Sequence, residues 1–268
     1  MKNQLIIFSK NRACQLHLLL ESIERNSNSL FDTVKVVYLF TNKDYENGYN
    51  KLIGVFKNVE FIIETNFYKN ILHSIDSNLP YTTFMVDDNV LYNTIPNTQK
   101  EILDKITDDV CCFSLRLGVN CTYSHPANLH YNINQPEIDN DFVTVDFSKQ
   151  RGDFGYPLSV DGHIFKTKLI KNILTNMGNF MNPNFLEGGL QRFLGNIPKK
   201  MIFFKTSYLV GIPANIVNET HPNRKGVVFP FSVEELNSKY IDNKLIDFSS
   251  MDFNGINGPH KEIKYIIK

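Results

Sequence analysis

Phe84-Met85-Val86-Asp87-Asp88-Asn89 is the stretch that decides the fold. The run from Tyr81 to Val86 has the length and apolar character of a buried strand, and it ends abruptly on two adjacent acids. Carboxylates this close repel and raise one another's pKa unless a cation or a hydrogen-bond donor neutralises them. A divalent ion such as Mg²⁺ or Mn²⁺, which prefers oxygen ligands, meets that demand. The bland alternative is a solvated Asp-Asp turn that caps the next segment.

The residues before this strand repeat one pattern. Gln4 to Ser9 reads as a short buried strand, and Ala13, Leu16, Leu19, Leu20 and Ile23 fall at helical spacing after it. Val34 to Thr41 and Val59 to Thr65 read as the second and third strands. Phe67, Ile71, Ile75 and Leu79 mark a helix that Pro80 ends. Strand, helix, strand, strand, helix, strand is the start of a doubly wound, mostly parallel α/β sheet of the Rossmann type flanked by helices. Such sheets bind ligands at the carboxyl ends of their strands, so Ser9 to Arg12, Thr41 to Asp44 and Asp87 to Asn89 should line one edge.

Beyond the acids the expected elements are a short helix over Ile102 to Ile106 and a strand over Val110 to Leu117. Gly118 to Asn140, rich in Asn, Pro, Tyr and His, reads as a long functional loop. Ordered structure is expected at Phe142 to Phe147 and Leu158 to Phe165, with helices at Lys168 to Leu174 and Phe185 to Leu194. A strand over Met201 to Tyr208 and a last ordered piece over Ile263 to Ile267 complete the reading. No repeat or low-complexity linker interrupts the 268 residues, so one domain is expected. Its nucleotide-binding half would cover about 1–95 and its acceptor-binding sub-lobe about 96–268.

Composition narrows the function classes. With 42% hydrophobic residues the chain has material for a core. Lys+Arg and Asp+Glu both number 28, which argues against a general nucleic-acid or membrane-surface role. Leu5 to Phe8 is too short for a signal-peptide core, and no run approaches the ~20 apolar residues of a membrane span. Cys14, Cys111, Cys112 and Cys121 lack CxxC spacing, which points to reduced buried thiols in a cytoplasmic protein rather than a zinc site.

In order and in four motifs the chain resembles the GT-A glycosyltransferases. The motifs are IIFSKNR (Ile6 to Arg12), FMVDDN (Phe84 to Asn89), VDGHIFKT with FLEGGLQRF (Val160 to Thr167, Phe185 to Phe193), and FNGINGPHKE (Phe253 to Glu262). The resemblance implies a metal-dependent transfer of a sugar from a nucleotide-diphosphate sugar to a hydroxyl of a glycan or glycoconjugate. It implies that Asp87 meets the ribose, and that Asp88, or Asn89 through its amide oxygen, holds the metal. His260 would complete the metal shell and Lys261 would hold the pyrophosphate, with His221 as a competing histidine.

Ser9, Lys10 and Arg12 stand where the family grips the nucleotide, and an Arg fork suits phosphate oxygens. Ser9 or Asn11 as a helix cap with a solvated Arg12 is the alternative. Glu187 stands where inverting members carry the base that deprotonates the acceptor, and Asp161 is its rival. The other reading of Glu187 is a first-turn acid favoured by the helix dipole. With no Trp in the chain, Tyr123-Ser124-His125 and Arg151 to Tyr156 are the expected acceptor walls. Two other functions share such a sheet. One is a nucleotidyltransferase, which normally opens with a Gly-rich loop where this chain has Ser9-Lys10-Asn11-Arg12. The other is an inert nucleotide- or carbohydrate-binding module.

Overall fold

The computed structural model describes residues 1–217 and 224–268. In the first part of the chain β1 (Asn3–Lys10), α1 (Ala13–Asn26), β2 (Thr33–Leu39), α2 (Lys43–Val55), β3 (Glu60–Ile63), α3 (Phe67–Ser74) and β4 (Tyr81–Val86) alternate without exception. β5 (Asn89–Leu91), α4 (Gln99–Leu103) and β6 (Val110–Ser114) follow, then the short strands β7 (Tyr123–Ser124), β8 (Leu129–His130) and β9 (Glu137–Asp139). The remainder comprises β10 (Phe142–Asp146), β11 (His163–Lys166), α5 (Thr167–Met177), α6 (Pro183–Leu190), β12 (Lys200–Phe204), β13 (Leu209–Gly211) and α7 (Val233–Ile241).

Nine strands form one sheet in the order β3-β2-β1-β4-β11-β6-β12-β10-β9. β3, β2, β1 and β4 are mutually parallel, and so are β6 and β12. β11 runs antiparallel to both β4 and β6, and β10 is antiparallel to β12 and β9. Seven of the nine therefore point the same way, as expected for a mostly parallel α/β sheet.

Strand alternation splits the core between the two faces of the sheet. Leu5 and Ile7 of β1 join a cluster with Leu16, Leu19, Leu52 and Tyr240, which places α1, α2 and α7 on one face. Ile6 and Phe8 join Ile71, Ile170 and Leu186, which places α3, α5 and α6 on the other. All four cysteines are free and buried, and burial pushes the Cys14 and Cys121 thiols up to about 12. No helix among the described residues is long and apolar enough to cross a membrane.

Several expectations change here. The second helix, α2, was missed: Tyr45, Tyr49 and Leu52 bury one narrow stripe of an otherwise polar segment, and Asn42 caps it by accepting from Tyr45 N at 3.1 Å. Within the expected loop 118–140, Tyr123–Ser124 pairs with Leu129–His130, and Glu137–Asp139 joins the sheet edge. Only His163–Lys166 of the segment 158–165 is a strand, and the helix after Pro183 tightens into a 3₁₀ turn at Gln191–Asn196. The last ordered piece is a single bridge between Ile246 and Ile267.

Candidate active site

A cleft of about 740 Å³ opens along the carboxyl ends of β1, β2 and β4 and continues over β6 and β11. Of the residues proposed from sequence, Ser9, Lys10, Arg12, Asp87, Asp88, Asp161, Glu187 and His260 line it. Asn89 and Lys261 do not. His221 lies outside the described residues.

The acidic turn is held from below. Asp87, 3% exposed, accepts a hydrogen bond from Arg12 Nη1 at 2.9 Å and another from Lys10 N at 3.1 Å. Arg12 is itself buried and also donates from Nε to Asn215 Oδ1 at 2.8 Å. The same Nη1 lies 3.8 Å from Asp88 Oδ2. Arg12 thus supplies the positive charge that the adjacent acids require, and its fork is occupied by protein rather than free for phosphate. Of the two ways to neutralise the pair, a cation or a hydrogen-bond donor, the protein thus supplies both, from Arg12 and from Lys10 N. Ser9 shares a 2.6 Å hydrogen bond with Tyr49 Oη, which also accepts from Arg12 N.

Asn89 is 1% exposed and its amide oxygen accepts from Val86 N at 3.1 Å. It closes the turn and offers no oxygen to the cleft, so its proposed metal role is withdrawn. Lys261 is likewise withdrawn as a diphosphate ligand, because its ammonium donates to the carbonyls of Asn254 and Gly255. The cause is local pairing. His260 bridges Gly211 in strand fashion, and successive side chains along an extended strand point to opposite sides.

Asp88 and His260 remain at the cleft edge. Their side chains are 21% and 19% exposed. Gly211 lies under both: a Cβ there would come 2.6 Å from His260 Cδ2 and 3.4 Å from Asp88 Oδ1. Burial pushes the Asp88 carboxyl up to about 6, with Arg12 and His260 opposing. His260 is held above the usual imidazole range, because the Asp161 and Asp88 carboxylates outweigh its burial. Its Nε2 is 3.6 Å from Asp161 Oδ2, while Nδ1 is buried with no hydrogen-bond partner among the described residues.

No group of three His, Cys, Asp or Glu among the described residues is arranged to hold a metal ion. Hard divalent ions bound with phosphates commonly use one or two side chains and leave the other positions to phosphate and water. Asp88 with His260 fits that sparse mode.

The far wall is organised by Arg116, a residue that the sequence reading passed over. Its side chain is 4% exposed and pairs with Asp153 at 2.8 Å and Asp161 at 2.7 Å. Its Nη1 also donates to Ser159 Oγ at 3.1 Å. Ser159 in turn donates to Glu187 Oε1 at 2.8 Å, and Val160 N donates to the same oxygen at 3.1 Å. The two carboxylates diverge as a result. Burial would raise Asp161, but His260 and Arg116 hold it well below the usual range. Burial and the Asp161 charge raise Glu187, against Arg116 and its two donors. Glu187 therefore holds a proton more readily than Asp161 does.

Position in the sheet accounts for Arg116. It stands just past the carboxyl end of β6, equivalent to Asp88 past β4, and the strand-end rule applied to Val110–Leu117 would have found it. Of the segments read from sequence as acceptor walls, Ser124, His125, Gly152, Asp153 and Tyr156 line the cleft. Arg224 and Lys225 add positive charge at its rim, Arg224 donating to Tyr123 Oη at 2.9 Å and His125 O at 3.0 Å.

No protein-family model matches the chain. In sequence it is similar to the bifunctional glycosyltransferase pgtA of Dictyostelium discoideum, with 27% identity over 233 residues. The match takes in 76% of this chain but only 30% of that protein, so the chain spans less than a third of its relative's length. Among solved structures, S. aureus TarS in complex with UDP superposes with a TM-score of 0.49 at 14% identity, over 78% of this chain and 60% of that one. The 4-diphosphocytidyl-2C-methyl-D-erythritol synthase of Anaerococcus prevotii gives 0.41 at 12% identity, over 78% and 90%. Superpositions this partial carry no argument about chemistry. The chain is thus similar over 233 residues to a protein named as a glycosyltransferase, and it carries an acidic turn at a cleft edge where Asp88, Asp161 and His260 meet.

Proposed function

We propose that this chain transfers a sugar from a nucleotide-diphosphate sugar to a hydroxyl of a glycan or glycoconjugate, with inversion and with help from a divalent metal ion. The observation that carries the reading is that Asp88, His260 and Glu187 share one cleft, with Glu187's pKa raised. The donor side is residues of about 1–95 and the acceptor side residues of about 96–268 of one domain. The buried free thiols suit a reducing compartment, in keeping with a cytoplasmic enzyme.

Asp88 and His260 would hold Mg²⁺ or Mn²⁺, which when bound offsets charge on the diphosphate. Lys10, Arg224 and Lys225 line the same cleft and act on the charge that develops on the departing nucleoside diphosphate. Asp87 and Arg12 keep the turn in place. Glu187, with one oxygen fixed by Ser159 and Val160, takes the proton of the acceptor hydroxyl as that oxygen attacks the anomeric carbon. Asp161, ion-paired to Arg116 and facing His260, positions rather than deprotonates.

A transfer assay with and without Mn²⁺ on the Asp88→Ala and Glu187→Gln variants tests this. Both should lose transfer. Unchanged turnover in Asp88→Ala refutes the metal assignment, and nucleotide-sugar binding with no product release by the unaltered protein would leave an inert binding module.

A further inference from the structure

Glu187 takes both of its donors from one irregular stretch, residues 157–162, which runs from the 3₁₀ turn at Gly152–Gly155 into β11. Ser159 Oγ and Val160 N reach Glu187 Oε1 from this stretch. Whatever holds it therefore sets where the carboxylate stands. Its last residue is tied to the sheet, because Gly162 N donates to Phe84 O at 2.7 Å and Gly162 O accepts from Leu115 N at 3.0 Å. Its first residue is Pro157, which has no N–H, so its carbonyl is the one backbone group by which it can be held.

His163 holds that carbonyl. Its Nδ1 lies 2.8 Å from Pro157 O, and the Cys112 thiol makes a longer contact of 3.3 Å to the same oxygen. A carbonyl only accepts, so Nδ1 carries the proton and Nε2 is left as a bare acceptor. That Nε2 is buried and has no hydrogen-bond partner among the described residues. His163 is 0% exposed, opposite Phe84 of β4 and near Phe165, where an apolar side chain would leave no polar atom stranded. Burying an unpaired ring nitrogen is unfavourable, and the carbonyl secured on the other side of the ring offsets it. Burial and the Arg116 charge push the imidazole down to about 3, against Pro157 O, Asp161 and Asp153, so the ring stays neutral at ordinary pH.

We infer that His163 is a positioning residue for Glu187: it pins Pro157 and so keeps Ser159 and Val160 aimed at the carboxylate that takes the acceptor's proton. This rests on the reading of Glu187 as the base. The other charged or titratable groups facing Glu187 are Asp161, Arg116 and Tyr156. Of these only Asp161 rides on the same stretch, and Arg116 holds it independently at 2.7 Å. Release of Pro157 thus falls on the two donors, and losing donors to an ionised carboxylate raises its pKa further.

Two polar replacements separate this effect from packing. In His163→Asn the amide nitrogen takes the place of Nδ1 and still meets Pro157 O, whereas in His163→Gln it takes the place of Nε2, which does not reach that oxygen. With the fold checked by circular dichroism, the acid limb of kcat/KM for sugar transfer should move up by about one pH unit in His163→Gln, as loss of a hydrogen bond to a charged group does. His163→Asn should restore it. Adding Ser159→Ala to His163→Gln should shift the limb little further, because both act on the same contact. Equal limbs in the two folded variants, or fully additive shifts, overturn the inference and leave Glu187 as the base. Transfer that survives Glu187→Gln overturns the base reading and the inference with it. Nitrogen NMR of the unaltered protein reads the ring directly even if a variant fails to fold. A His163 ring protonated on Nε2 instead, or one that titrates between about pH 5 and 8 like a free imidazole, removes the clamp.

Discussion

Arg12 and Asp87 form a buried ion pair, Nη1 to Oδ1 at 2.9 Å, that ties the turn after one central strand to the residue after its neighbour. The pair fixes the height and direction of the acidic turn and leaves Asp88 the more exposed of the two acids.

Breaking this pair from one side should leave a buried charge. Arg12→Ala or Asp87→Ala is expected to cost about 3–5 kcal/mol of folding stability. Urea denaturation of each variant measures it. A cost below about 1 kcal/mol, the level of an exposed pair, would contradict the structural role.

Glu187 must be ionised to accept a proton, and its pKa is raised, so activity should fall off on the acid side at a higher pH than an ordinary Glu of about 4.3 would give. Ser159→Ala removes a donor that favours the charged form. The acid limb of kcat/KM against pH should then move upward, and Ser159→Thr should restore it. An unmoved limb assigns the proton transfer elsewhere.

Gly211→Ala places a methyl 2.6 Å from His260 Cδ2 on a backbone that cannot easily yield, because Gly211 N donates to Pro259 O and Lys261 N donates to Gly211 O. The imidazole should be pushed off the cleft edge. Turnover is expected to drop about a hundredfold, as a misplacement of about 1 Å can do, with the protein still folded by circular dichroism.

Lys261→Ala offers the contrast. Its ammonium is spent on two loop carbonyls outside the cleft, so donor KM should stay within about twofold, surface changes of this kind being small. A large rise in KM would return the residue to the diphosphate.

The parts of the fold that could be read from sequence are those where periodicity and burial agree. β1 and β4 carry the apolar runs Leu5–Phe8 and Phe84–Val86 within largely buried strands, and α1 buries Leu16, Leu19 and Ile23 at helical spacing. α2 escaped because only Tyr45, Gly48, Tyr49 and Leu52 of its thirteen residues are buried, and its tyrosines do not stand out as a stripe. The site was legible where strand ends deliver it, at Asp87 and Asp88. It was misread where motif position stood in for side-chain direction, at Asn89 and Lys261. Arg116 went unnoticed because a charge amid Phe113, Leu115 and Leu117 carries no signal until Asp153 and Asp161, distant in sequence, fold against it.

The antiparallel pairing of β6 with β11 sets Ser114 directly opposite His163. Residues 115–162 leave that ladder and return to it, an excursion that sends β9 and β10 to the far edge of the sheet on the way. That excursion supplies Arg116, His125, Asp153, Tyr156 and Asp161 to the cleft. Because its two ends are already held side by side, lengthening the loops outside β9 and β10 adds little closure entropy and leaves β1 to β4 untouched. The wall of the cleft that these residues form can thus vary while the floor built by β1 to β4 stays constant.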